Sequence, residues 1–296
     1  MPDPRRPGKP RNAIKALDPI EHTLVASLPM PTLSVIVPVY NEEKQLAQVI
    51  HALMATPCPI DREWIFVDDS SKDGSLAILH ELKAQYKYRV IEQKPNQGKG
   101  AAVIHGIREA AGDLILIQDA DFEYDPLDIP SLLEPLLQGK ADVVYGSRFK
   151  NSQQVHRTYH YFVNRLLTIL SNLLSGIYLT DMETCYKVFR ADLLKSMNLQ
   201  SKRFGIEVEL TAYLGKARTR IYELPISYFP RTRLQGKKIN WKDGVAALGH
   251  LVRFNWLTSL EEAFQSLPPQ YSPVATRQYT APKTGAHATD SKKVGL

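Results

Sequence analysis

The chain is predicted to be an α/β protein with a mostly parallel central sheet and helices on both faces. Three observations carry this expectation. Strand-like apolar runs alternate with segments of helical spacing from residue 33 to about 145, the rhythm of βαβ units. The run Leu114-Ile-Leu-Ile117 is continuously apolar and enters an acidic turn, as a buried strand does at its end. The polar clusters Tyr40-Asn41-Glu42, Asp68-Asp69 and Asp119 with Asp121 all fall where a strand stops, and sheets of this class bind ligands at that edge.

Leu33–Val39 reads as the first strand, followed by a helix over Glu42–Ala55 with Asn41 as its N-cap. Trp64–Val67 is a second strand, and Ser71-Lys72-Asp73-Gly74-Ser75 is a turn into a helix over Leu76–Tyr86. Arg89–Glu92 is a third strand, Gly98–Ala110 a third helix, Leu114–Gln118 the fourth strand and Val143–Tyr145 a fifth. Beyond residue 150 the rhythm changes. Tyr159, Phe162, Leu166, Ile169, Leu173 and Ile177 keep helical spacing, with Val163, Leu167, Leu170 and Leu174 alongside them. Asn164, Thr168, Ser171 and Ser175 form a polar stripe. That helix either covers the sheet as a core element or lies on a membrane surface. A helix near Gly205–Lys216, a strand near Arg220–Leu224 and an amphipathic helix over Trp241–Leu260 complete the pattern.

The expected organisation is an irregular lead over residues 1–31, one domain over 32–260, and a disordered C-terminal tail over 261–296, which is rich in Pro, Thr, Ser, Gln and Lys. Residues 150–260 are the expected acceptor side of the domain. The 296 residues carry a net charge of +6, which favours anionic partners without specifying nucleic acid. Two cysteines, Cys58 and Cys185, are too few for a disulfide framework and show no zinc spacing, so a cytosolic setting is expected. The basic N-terminus has no apolar core behind it, so no signal peptide is expected, and no window is apolar enough to predict a spanning helix.

Asp119 and Asp121 lie where a buried strand opens into a loop, and two carboxylates there call for a cation. Mg²⁺ or Mn²⁺ shared with a diphosphate suits such oxygen ligands. At Val37–Glu43, Tyr40 is placed to pack on a base and Glu42 to accept from base or ribose, or else the segment is a plain helix cap at Asn41. Asp68 and Asp69 suit a ribose or base, or else form a solvated turn. In Asn96–Ala102, Gly98 and Gly100 permit a tight turn and Lys99 stands at a helix entrance, a place for phosphate. Neither a P-loop nor the dinucleotide glycine fingerprint is present, which argues against an oxidoreductase. From Arg218 to Lys242 seven basic residues stand against one acid, Glu223. That run is either a solvated face or a phosphate clamp built from Arg231, Arg233 and Lys237. No aromatic-rich reader module accompanies it, so nucleic acid is not expected as a partner.

Together, PVYNEE at 38–43, VDDSSKDGS at 67–75, NQGKGAA at 96–102 and QDADFEYDP at 118–126 resemble family 2 glycosyltransferases of the GT-A, Rossmann-like fold. YGSRF at 145–149, DMETCYKVFR at 181–190, FGIEVELTA at 204–212 and PRTRLQGKKINWKDG at 230–244 extend the resemblance over roughly residues 32–258. The chain is most similar to the polyprenyl-phosphate branch, typified by dolichol-phosphate mannosyltransferases.

The resemblance implies inverting, metal-dependent transfer of a hexose from a nucleotide sugar, GDP-mannose or UDP-glucose, to a polyprenyl phosphate at the cytosolic membrane surface. It makes Asp119 and Asp121 the DxD pair, with Glu123 standing where relatives often have Gln as a further metal ligand. Pro38, Tyr40, Glu42 and Asp68 or Asp69 would line the nucleoside, and Arg148 would sit near sugar or phosphate. Asp181 occupies the place of an acid near the acceptor, as base or as orienting group, with Glu183 the alternative. Transfer to a hydroxyl acceptor, or nucleotide-sugar binding without turnover, are the competing readings.

Overall fold

Strand β1 (Leu33–Val39) forms inside the sheet, its apolar residues buried on both faces. The computed structural model describes residues 30–150, 158–231 and 241–273. β1 pairs in parallel with β2 (Arg62–Asp68) and β4 (Leu114–Ile117), and β2 pairs in parallel with β3 (Arg89–Glu92). On the other side of β4 lies β6 (Lys187–Arg190), antiparallel to it. β5 (Val143–Ser147) is antiparallel to β6, and β7 (Ile221–Pro225) is parallel to β5. The seven strands run in the order β3-β2-β1-β4-β6-β5-β7. The expected α/β class with a mostly parallel sheet and helices on both faces is what the chain adopts.

Alternate residues feed two cores. Leu33, Val35, Trp64, Phe66, Leu114 and Leu116 pack on one face against α1 (Leu46–Ala55), α2 (Ser75–Lys83) and α4 (Ile129–Leu137). Ile36, Ile65, Val67, Ile115 and Ile117 pack on the other. That side is covered by α3 (Lys99–Glu109), α5 (Thr158–Ser175), α6 (Ala191–Ser196), α7 (Ile206–Lys216) and α8 (Trp241–Val252). A Cβ on Gly106 of α3 would stand 2.4 Å from Ile36 Cγ2, so the helix lies directly on β1.

Several expectations are corrected. Helix α1 begins at Leu46, and Asn41 does not cap it. Asn41 takes a left-handed backbone (φ 52°), and its Oδ1 accepts from Lys72 N at 2.7 Å, a local bond that competes with helix. Strand β6 was not anticipated, because Lys187 and Arg190 break its apolar pattern. Helix α4 was masked by Pro130 and Pro135, which argue against helix interiors. The expected helix over 241–260 instead stops at Val252, passes through a π-helical turn (Arg253–Leu257), and breaks before Ser259. Ser259 and Glu262 form a capping box on α9 (Leu260–Ala263).

The tail expected to be disordered from 261 is ordered at its start, because Phe264 and Tyr271 are buried. Arg218 N donates to Tyr271 O at 2.8 Å, and Gln265 N to Ser196 O at 2.8 Å. The lead over 1–29 and the tail from 274 lie outside the described residues.

In α5 the polar Thr168 and Ser171 are buried, whereas Phe162, Leu166, Ile169 and Leu173 are exposed. The stripe Val163, Leu167, Leu170 and Leu174 faces the core. The helix thus meets the sheet with one apolar stripe and presents a second one outward.

One polar network is sealed in the core. Lys187 is fully buried, donates to Glu207 and to the Thr184 carbonyl, and lies 5.1 Å from the Tyr145 ring centroid. Glu183 sits beside it, its Oε1 enclosed without a hydrogen-bond partner. Burial, and then the charge of Glu207, push its carboxyl up to about 7.

Two outcomes are expected. Lys187→Met leaves the Glu207 carboxylate buried without its cation and should lower stability in urea by about 3–5 kcal/mol, while Lys187→Met with Glu207→Leu should recover most of it. Glu183 keeps its proton in the folded chain to about pH 7 but ionises near 4.5 when unfolded. Stability is therefore lost as pH rises through that window, on the order of 2 kcal/mol. Denaturation curves of Glu183→Gln should lack that loss.

Candidate active site

The site is built at the carboxyl edge of β1, β2 and β4. Strand β4 ends at Ile117, paired with Ile36, whereas β1 continues to Val39. Pro38 lies in that overhang, beyond the last β4 partner. The loop after β1 is stitched to the loop after β2. Asn41 N donates to Ser71 Oγ at 3.1 Å, Glu42 N to Ser75 Oγ at 2.8 Å, and Gly74 N to Glu43 Oε2 at 3.0 Å. These bonds fix Tyr40 and Glu42, both partly buried, at the mouth of the crevice.

Asp68 and Asp69 separate into different tasks. Asp68 closes β2 and is buried. Its Oδ2 accepts from Ser71 N at 3.1 Å, while Oδ1 is enclosed with no partner. Asp69 is committed to its own scaffold. Oδ1 accepts from Gln93 Nε2 at 2.7 Å and Gln97 N at 2.8 Å, and Oδ2 from Gly98 N at 2.7 Å. Asp69 therefore shapes the loop into α3, and Asp68 is the one of the two with a free buried acceptor.

Lys99 opens α3, and its ammonium reaches Asp119 Oδ1 at 2.6 Å and Cys185 Sγ at 2.8 Å. The flanking glycines serve packing. A Cβ on Gly98 (φ 97°) would stand 2.5 Å from Lys202 O, and one on Gly100 2.1 Å from Ser201 O. Burial pushes the Asp119 carboxyl up, but the Lys99 charge, the hydrogen bonds from Cys185 and Lys99 and the Arg231 charge together hold it below its ordinary value.

Asp121 is almost fully buried, and burial together with the charge of Asp119 pushes its carboxyl up to about 7. Arg231 lies against it. The guanidinium donates to Asp121 Oδ2 and, through Nη1, to Glu42 Oε2 at 3.0 Å. Glu123 is strapped to the same segment. Its Oε1 accepts from Arg231 N at 2.8 Å, and its Oε2 from Tyr228 Oη at 3.3 Å. Asp119, Asp121, Glu123, Glu42, Lys99 and Arg231 are thus brought together. Arg233 and Lys237 lie outside the described residues.

Asp181 is fully buried, and Arg148 holds both its oxygens. Nε donates to Oδ2 and Nη2 to Oδ1, each at 2.7 Å, and the Arg148 backbone N adds a third bond at 3.0 Å. Both Asp181 oxygens thus face Arg148. Arg148 is spent on the same pair and lies 5.1 Å from the Tyr228 ring centroid. Glu223 braces the turn by accepting from Thr180 N at 2.8 Å and Asp181 N at 3.0 Å.

Sequence reasoning did not single out Cys185, Tyr228 or Glu223 as part of this surround. Tyr228 stands in a Tyr-Phe pair just before the basic run, which is the one signal that marked it.

Among the described residues no three Asp, Glu, His or Cys side chains converge so as to hold a metal ion. The donor chemistry nevertheless suits a hard cation: three carboxylates within five residues, two of them close enough that Asp119 raises the proton affinity of Asp121.

A sequence model described as Glycosyl transferase family 2 matches residues 34–197, more than half of the chain. The chain is 29% identical over 217 residues to a dolichol-phosphate mannosyltransferase of Pyrococcus furiosus, covering 70% of this chain and 60% of that relative. It is 30% identical over 211 residues to a UDP-N-acetylglucosamine–dolichyl-phosphate N-acetylglucosaminyltransferase of Methanococcus voltae, covering 64% of this chain and 83% of the relative. In fold it is similar to glucosyl-3-phosphoglycerate synthase of Mycobacterium tuberculosis solved with Mn²⁺, UDP and phosphoglyceric acid. The TM-score is 0.58 and the identity 20%, over 76% of this chain and 79% of that one. The same enzyme in another crystal structure gives a TM-score of 0.59 at 21% identity, over 76% and 81%. With its GT-A architecture and the acidic crevice at the sheet edge, the chain belongs to glycosyl transferase family 2.

Proposed function

We propose that the protein is an inverting, divalent-metal-dependent glycosyltransferase that moves a hexose from a nucleotide sugar to a polyprenyl phosphate. The observation that carries this reading is the pair Asp119 and Asp121 at the open end of β4, beside two cations, Lys99 and Arg231. Dolichyl phosphate in the names of two relatives supports the lipid acceptor, and UDP with Mn²⁺ beside a fold neighbour supports the donor and the metal.

Each residue then has a task. The unpartnered Asp68 Oδ1 accepts from the nucleoside, with Tyr40 beside it. Asp119, Asp121 and Glu123 would hold Mg²⁺ or Mn²⁺, and such an ion would supply positive charge to the diphosphate. Arg231, with Arg233 and Lys237 behind it in sequence, offers guanidinium and ammonium groups to phosphate. An oxygen of the lipid phosphate attacks the anomeric carbon from the face opposite the diphosphate. The new carbon–oxygen bond forms as the old one breaks, and the nucleoside diphosphate leaves. An ionised phosphate needs no base, which agrees with an Asp181 held on both oxygens by Arg148.

The outward stripe of α5 supports a membrane setting. Phe162, Leu166, Ile169 and Leu173 are joined by Leu248, Val252, Trp256 and Leu257 on α8 and the π-helical turn, against which α5 packs. No helix among the described residues is long and apolar enough to cross a membrane. The outward stripe is read as a surface that meets the bilayer.

Purified protein given Mn²⁺, polyprenyl phosphate and labelled GDP-mannose, UDP-glucose or UDP-N-acetylglucosamine should form a lipid-extractable product with one of the three. Asp119→Asn or Asp121→Asn should slow it by roughly 100-fold or more. No product with any donor would sink the acceptor assignment. In vesicle sedimentation, Phe162→Glu with Leu173→Glu should weaken membrane binding by about 10-fold or more, since two exposed apolar side chains then lose their burial in lipid. Unchanged sedimentation would rule out this face.

A further inference from the structure

We infer that Arg231 is an internal rival of the metal: its guanidinium lies in the Asp121–Glu123 seat, so a divalent cation enters only by displacing it. The inference rests on the metal site assigned above and concerns how that site is gated by charge.

The geometry is specific. The guanidinium bonds Asp121 Oδ2, and Nη1 bonds Glu42 Oε2 at 3.0 Å. The backbone N of the same residue bonds Glu123 Oε1 at 2.8 Å, and Nε stands 3.8 Å from that oxygen. Two of the three carboxylates suited to the metal are therefore engaged by one residue. The third, Asp119, is engaged by Lys99 at 2.6 Å. Two single cations thus stand in for the charge of one divalent ion.

The two differ in how they are held. Lys99 is anchored at the first position of α3 and also donates to Cys185 Sγ. Arg231 is seated imperfectly, because its Nε is enclosed and makes no hydrogen bond. A guanidinium with an unsatisfied buried donor has something to gain from a better acceptor. A diphosphate offers bidentate oxygens of higher charge. When the diphosphate takes the guanidinium, the carboxylates are released to the metal. Metal and diphosphate then bind with positive coupling, and linkage makes the coupling equal in both directions.

The test is direct Mn²⁺ binding followed by electron paramagnetic resonance, with no turnover involved. Wild type is compared with Arg231→Gln and Arg231→Met, either of which suffices if it keeps the wild-type circular dichroism. The neutral variants should bind Mn²⁺ alone roughly 10-fold tighter than wild type, and adding Asp121→Asn should erase the gain. Adding UDP or GDP should tighten Mn²⁺ binding more in wild type than in the neutral variants. Equal or weaker Mn²⁺ binding by the neutral variants, in a protein that does bind Mn²⁺ with nucleotide, overturns the inference alone. No Mn²⁺ uptake by any form, even with UDP or GDP, overturns both the inference and the metal site.

Discussion

The site depends on a mismatch in strand length. β4 stops at Ile117, while its neighbour β1 runs on to Val39. The overhang leaves the loop after β4 between the ends of β1 and β2 on one side and the start of the antiparallel β6 on the other. Carboxylates emerging from β4 have no strand partner at that depth and only partial access to water. Their charge must be met locally, and in this chain it is met by Lys99 from α3 and Arg231 from the segment after β7. Elements from both halves of the chain are thereby drawn to one acidic point.

Charge also explains how labour divides among residues of the same type. Asp68 and Asp69 are adjacent, yet one keeps an unpartnered oxygen while the other is consumed by Gln93, Gln97 and Gly98. Asp181 and Glu183 are two residues apart, yet Arg148 grips the first and burial beside Glu207 raises the second. A carboxylate's role is decided by who stands next to it, and the neighbours come from distant parts of the chain.

That is why the sequence was informative about some features and silent on others. The strands at 33–39 and 89–92 were legible because their apolar runs are local and flanked by polar turns. The position of Asp119 and Asp121 at a strand end was legible for the same reason. The antiparallel β6 was not, because Lys187 sits in the core only by virtue of Glu207 and Thr184. The bond from Arg231 to Asp121 crosses 110 positions, and no local pattern signals it. Asn41 looked like a cap because a cap is what Asn offers a nearby helix. Its actual partner, Lys72, lies on another loop. The outward stripe of α5 was indistinguishable by spacing from its inward one, since both are apolar and helical in period.

The seat beneath α3 has a wider consequence. Gly98 and Gly100 lie against the backbone at 201–202, and the nine residues Ile206–Leu214 that follow are all buried. The match to the family model ends at 197, yet α3 inside it rests on residues beyond it, so the matched stretch is not a self-sufficient folding unit. Cut there, it would expose the underside of α3 and half of one core. The later segment is therefore a foundation as well as a wall: a substitution there is tolerated only where the support beneath α3 survives it.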